Sequence, residues 1–93
     1  MNTLRELIKK PSTVIVDVRS PREYDAEHIP NAKNIPLEEL PARISEFRSF
    51  KTPVIFYCRS GARSGMAVSL LKQHGLVDVF NGGGLEEMKI NLN

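Results

Sequence analysis

Two runs, TVIVDV (residues 13–18) and PVIFYC (residues 53–58), are almost wholly apolar and rich in β-branched and aromatic side chains. A strand wetted on one face alternates apolar and polar residues. These runs do not alternate, so they read as strands buried on both faces of a parallel sheet. Such strands need long crossover connections and covering helices.

Helix signals fall between and around them. Thr3 with Glu6 makes a capping-box pattern, and Leu4, Leu7 and Ile8 keep helical spacing until Pro11. Ser20, Pro21 and Glu23 repeat the device, with proline at the first helical position, and predict a second helix carrying Tyr24. HIPNAKNIP (residues 28–36) reads as a loop with one brief strand. Leu37, Leu40, Ile44 and Phe47 recur every three to four residues, giving one or two short helices with Pro41 at the start of a turn. SGMAVSLLKQHG (residues 64–75) predicts a helix ended by Gly75, VDVF (residues 77–80) a last strand, NGGG a mobile loop and LEEMKI a closing helical turn or two. The order predicts a three-layer α/β/α fold with a central parallel sheet of four to five strands and helices on both faces. With 93 residues and no repeat or linker, a single domain spanning 1–93 is expected. A core this small leaves little space for a large cofactor, and no cofactor is expected.

Lys and Arg number 13 against 11 Asp and Glu, a net charge of +2 that is too weak to argue for nucleic acid or a membrane surface. The distribution is more informative. Between Phe47 and Val77 stand Arg48, Lys51, Arg59, Arg63 and Lys72 without one acidic residue, so this stretch is suited to meeting an anion. The one cysteine excludes an intramolecular disulfide and a zinc site of the usual multi-cysteine kind, so a reduced compartment and no metal are expected. No apolar run approaches a membrane span, and the amino-terminal stretch lacks the apolar core of a signal peptide. The sequence is therefore read as cytoplasmic.

Cys58 closes the most hydrophobic strand, and ligand crevices of parallel α/β sheets lie at the carboxyl ends of strands. CRSGARSG then turns into a helix, with Gly61 supplying conformational freedom so that successive backbone N–H groups can form an anion nest around the sulfur. Those donors, the helix start and the flanking Arg59 and Arg63 favour thiolate over thiol; such surroundings lower a cysteine from about 8.5 to roughly 3.5–7.5. An isolated cysteine is otherwise an inert small hydrophobe. Here the glycine, two arginines and following helix within six residues favour the reactive reading.

VDVRSPREYDAEHIPNAKNIPLEEL, VIFYCRSGARSGMAVSLL and VFNGGG together resemble the amino-terminal signature, active-site strand–loop–helix and closing glycine motif of single-domain rhodaneses. The resemblance implies a thiosulfate sulfurtransferase with a ping-pong cycle. Cys58 would take the outer sulfur of thiosulfate as a persulfide and pass it to cyanide, a small thiol or a thioredoxin-like acceptor. Residues Arg59, Ser60, Gly61, Ala62, Arg63 and Ser64 would form the substrate and persulfide loop, with Arg63 bracing it and Arg59 meeting incoming anions. A monomer is expected.

Asp17, Arg19 and Glu23 read as scaffold, the arginine facing the helix-start Glu23 in a polar brace. His28 lies in the His-Ile-Pro element and is expected to tie its loop by hydrogen bonds, while His74 sits at a helix end far from the sulfur. Where the family often has glycines around His-Ile-Pro, this chain has Glu27 and Asn31; asparagine accepts a left-handed turn and glutamate resists it. Leu85 stands where an aromatic residue is common.

Three other functions use overlapping features. A cysteine phosphatase or arsenate reductase places five residues between Cys and Arg to ring a phosphate, but four separate Cys58 from Arg63 and the next residue is Ser64. Noncatalytic binding modules of this type commonly lack the cysteine. A sulfur relay from a partner desulfurase to a carrier protein would use the same Cys58 chemistry.

Overall fold

The computed structural model describes residues 3–93; the first two residues of the 1–93 span lie outside them. Helix α1 (Leu4–Lys9) starts at the expected capping box, with the Thr3 hydroxyl accepting from the Glu6 N–H and Glu6 accepting from the Thr3 N–H. Strand β1 (Val14–Asp17), α2 (Pro21–Ala26) and the two-residue β2 (Lys33–Asn34) follow. A 3-10 helix (Leu37–Arg43) containing Pro41 leads into α3 (Ile44–Arg48), then β3 (Val54–Cys58), α4 (Ala62–Gln73), β4 (Val79–Gly84) and α5 (Leu85–Leu92). The described strands form one parallel sheet in the order β2-β1-β3-β4.

Side chains of a strand point alternately to opposite faces, and this separates two cores. Val16, Phe56 and Cys58, with Val18 just past β1, pack toward Leu40, Phe47, Ala67 and Leu71 on the α3/α4 side. Ile15, Ile55 and Tyr57 pack toward Leu7, Ile8, Leu85 and Met88 of α1 and α5. Every residue of β3 is buried, as its unbroken apolar run requires. Each large aliphatic or aromatic side chain so enclosed contributes about 1.5–3 kcal/mol. Cys58 thus emerges from the centre of the sheet on the face covered by α4.

Several boundaries differ from the sequence reading. Helix α4 begins at Ala62, two residues before Ser64, because Gly61 at φ 100° turns the chain directly into it. NGGG is not a mobile loop: it completes β4, which starts at Val79 rather than Val77. Pairing with the buried β3 supplies the hydrogen-bond partners that the glycines' weak strand preference does not suggest. Between the pairs Phe56–Asn81 and Cys58–Gly84, β4 carries one residue more than β3, a bulge that bends its end toward the loop after Cys58. Asn31 takes the left-handed conformation at φ 69°, whereas Glu27 sits in extended backbone at φ −168° and needs no left-handed turn.

The bulged end of β4 meets that loop so closely that a methyl group on Gly84 would run into the carbonyl oxygen of Arg59. Gly84→Ala should therefore force the two backbones apart and lower stability by about 1–3 kcal/mol, the usual cost of overpacking. Urea denaturation of the purified variant checks this; an unchanged midpoint would mean that the loop yields without cost.

Candidate active site

The sulfur of Cys58 lies at the carboxyl end of β3, in a residue only 1% exposed. The backbone turns at Gly61, whose N–H donates to Cys58 Sγ at 2.9 Å. Helix α4 starts at the next residue, so Ser64 lies in its first turn, where backbone N–H groups have no partner within the helix. Burial pushes the Cys58 thiol up. Against it, the Ser64 hydroxyl and the backbone N–H groups of Ser64, Ser60 and Gly61 favour the anion and leave the thiol below its ordinary value. The nest is thus formed by residues Cys58, Ser60, Gly61 and Ser64, while Arg59, Ser60 and Ala62 are exposed around it.

Ser64 is wholly buried, with its Oγ 3.5 Å from Cys58 Sγ and 2.7 Å from Asn81 Oδ1. Asn81, on β4, also donates from Nδ2 to the Gly61 carbonyl at 3.0 Å and accepts from the Gly83 N–H at 2.9 Å. Sequence reasoning missed this residue because it stood at the edge of a presumed loop. Its signal was a polar side chain directly after Val79 and Phe80, near the carboxyl end of a strand that neighbours β3.

The charged brace differs from the expected one. Arg19 does not face Glu23; it folds back on Asp17, with Nε 3.0 Å from both carboxylate oxygens and Nη2 2.6 Å from Oδ2. Both are buried, and the Asp17 side chain is wholly enclosed, so the nearest guanidinium takes it. Arg19 also donates to the Glu27 carbonyl, and Asn34 ties the carbonyls of Asp17 and Arg19. This cluster holds the ends of β1 and β2 together without touching the sulfur.

Glu23 pairs instead with Arg63, in two parallel bonds of 2.8 and 3.0 Å. The same carboxylate accepts from the Ser20 N–H, so one side chain both caps α2 and holds the first turn of α4. Arg63 draws the Glu23 carboxyl down to about 2, assisted by Ser20 and opposed by partial burial. This depression means that the ion pair contributes fully above the unfolded carboxyl range near 4.5 and is lost as pH falls through about 2. Arg63 thus pairs with Glu23 at a half-exposed site rather than pointing freely into solvent.

His28 stacks on Tyr24 with ring centroids 3.7 Å apart and donates from Nδ1 to the Tyr24 carbonyl at 2.8 Å, and it makes no bond to Cys58. His74 caps the far end of α4. Beside the loop lies an open cleft of about 420 Å³ bordered by Arg19, Glu27, Arg59, Leu85 and Glu86, with Arg59 exposed along its rim. Among the described residues, no group of three or more His, Cys, Asp or Glu side chains could hold a metal ion. No helix there is long and apolar enough to cross a membrane.

Comparison with known proteins places this arrangement in a family. The sequence model of the rhodanese-like domain matches residues 1–90. The chain is 42% identical over 67 residues to the protein YqhL of Bacillus subtilis, covering 72% of this chain and 52% of that one, so it spans about half the length of that relative. It is 39% identical over 74 residues to the thiosulfate sulfurtransferase PspE of Escherichia coli, covering 78% and 71% of the two chains. Among solved structures, a rhodanese with anions from E. coli matches at a TM-score of 0.74 and 38% identity, over 81% of this chain and 89% of the other. The human single-domain sulfurtransferase TSTD1 matches at 0.76 and 26% identity, over 97% and 91%. With a parallel sheet of the same architecture and a family match running nearly end to end, the chain belongs to the rhodanese-like domain family.

Proposed function

We propose that the protein is a sulfurtransferase that carries sulfur on Cys58 as a persulfide. The convergence of the Gly61 N–H, at 2.9 Å, and the donors of Ser60 and Ser64 on one buried sulfur is the observation that carries this reading. The names of relatives such as PspE support it.

The Cys58 thiolate attacks the outer sulfur of thiosulfate. A new S–S bond forms, the bond to the inner sulfur breaks, and sulfite leaves with the electron pair. The negative charge now resides on the terminal sulfur, which the same N–H donors stabilise as an oxyanion hole stabilises developing charge. Cyanide or a thiolate then attacks that terminal sulfur, giving thiocyanate or a new persulfide and returning Cys58 to thiolate. Arg59, exposed on the rim of the open cleft, draws the thiosulfate dianion toward the loop. Arg63 does not meet the substrate in this reading. Held by Glu23, it fixes the first turn of α4 and hence the donor positions. The four-residue spacing between Cys58 and Arg63 leaves a ring suited to a sulfur atom rather than to a phosphate group.

Intact-mass measurement after thiosulfate should show one added sulfur atom, and cyanide should remove it as thiocyanate. Cys58→Ala is expected to gain no sulfur. If the wild type stays unloaded although Cys58 alkylates readily, thiosulfate is not the donor.

Glu23→Gln removes the charge that holds Arg63 and should lower kcat/KM for thiosulfate by about tenfold through misplaced donors. Initial rates of thiocyanate formation test this. The acidic fall of the wild-type rate should follow Cys58 alone, because thiolate is lost as pH falls while the Glu23 carboxylate persists to about pH 2. A second inflection near the ordinary carboxyl range would show that the brace fails earlier.

A further inference from the structure

The amide of Asn81 can be oriented in only one way. Its Nδ2 lies 3.0 Å from the Gly61 carbonyl, which can only accept, and its Oδ1 lies 2.9 Å from the Gly83 N–H, which can only donate. The atom facing Ser64 at 2.7 Å is therefore an acceptor, and the Ser64 hydroxyl must donate to it. A serine hydroxyl has one hydrogen. Toward Cys58 Sγ, 3.5 Å away, Ser64 then offers only a lone pair, and the hydrogen in that contact belongs to the sulfur. This arrangement suits the neutral thiol, in a chain running S–H to Ser64 to Asn81.

A thiolate has no hydrogen to give, and a buried anion facing a lone pair is unfavourable. When the thiol loses its proton to solvent, the Ser64 hydroxyl has to rotate from Asn81 to sulfur. Oδ1 of Asn81 keeps the Gly83 N–H and so is not left without a donor. We propose that Asn81 is a positioning residue that competes with Cys58 for the single hydroxyl proton of Ser64, which follows the charge on the sulfur. The extension of this cycle to the loaded enzyme rests on the persulfide reading above. Once the inner sulfur is bonded to a second sulfur, its charge has moved outward and the hydroxyl returns to Asn81.

The other charged groups at this end of the sheet are Arg59 of the loop and Arg63 of α4 with Glu23 of α2. Around them lie the Asp17–Arg19 pair beyond β1, Glu27 and Glu86 on the cleft that Arg59 borders with Lys89 paired to both, and Glu87 of α5, which accepts from the Gly84 N–H. All are retained in the variants below and enter every profile alike.

The test is the pH dependence of Cys58 alkylation by iodoacetamide, a small reagent whose reaction does not depend on sulfur transfer. Asn81→Ala leaves the Ser64 hydroxyl with the sulfur as its partner, and the midpoint should fall by about one pH unit, a tenfold change in the ionisation constant. A merely structural loss would loosen the Gly61 donor and move the midpoint upward. In a Ser64→Ala background the Asn81→Ala shift should vanish. An unchanged or raised midpoint, or the same fall without Ser64, overturns the proposal. Should Asn81→Ala fail to fold by circular dichroism, Asn81→Asp decides. Its carboxylate holds the hydroxyl more firmly and should raise the midpoint by more with Ser64 present than without it, and equal shifts overturn the proposal. Mass measurement after thiosulfate is made in parallel: an unloaded wild type removes thiosulfate as the donor and leaves the alkylation result standing on its own.

Discussion

A sulfur held at the end of a fully buried strand is protected from water, and for the same reason its anion is costly to form. Everything around Cys58 follows from that opposition. The strand must be buried on both faces to stand at the centre of the sheet, which deprives the thiolate of solvent. Protein donors must then replace the lost water, and they must already be in place when the charge appears. The turn at Gly61 and the start of α4 supply them, because backbone N–H groups in the first turn of a helix have no internal partner.

Donors in a short turn are only as well placed as the elements that hold the turn. Two neighbouring elements, α2 and β4, act on it. Glu23 reaches from α2 to Arg63, Asn81 reaches from β4 to Ser64 and the Gly61 carbonyl, and Gly84 lets β4 close against Arg59. Glu23, Asn81 and Gly84 all lie far from Cys58 in sequence. Cys58 comes from one strand, but its surroundings are assembled from the loop that follows it and from α2, α4 and β4.

That distribution explains what could be read from the chain alone. The two apolar runs and the two capping boxes are local signals, and the parallel sheet with α1 and α2 appeared where they pointed. The Cys58 loop was legible because its strand, glycine and helix are contiguous. Asp17, Arg19 and Glu23 were read as scaffold, with Arg19 facing Glu23, but Arg19 pairs with Asp17 and Glu23 with Arg63. Which carboxylate an arginine takes depends on burial and on Arg63, forty positions further along. Asn81 and the strand character of NGGG were hidden for a related reason. Three glycines carry no strand preference of their own, and only the hydrogen bonds offered by β3 hold them extended.

The extra residue in β4 also affects the side of that strand facing away from β3. β4 is one of the two outer strands of the described sheet, and the other, β2, is only two residues long. A straight outer strand offers a row of free N–H and C=O groups on which a second chain can build. The bulge breaks the regular spacing of that row and increases its twist, while β2 is too short to offer a row at all. The irregularity that brings β4 against the sulfur loop thus also protects the sheet from growing sideways into aggregates.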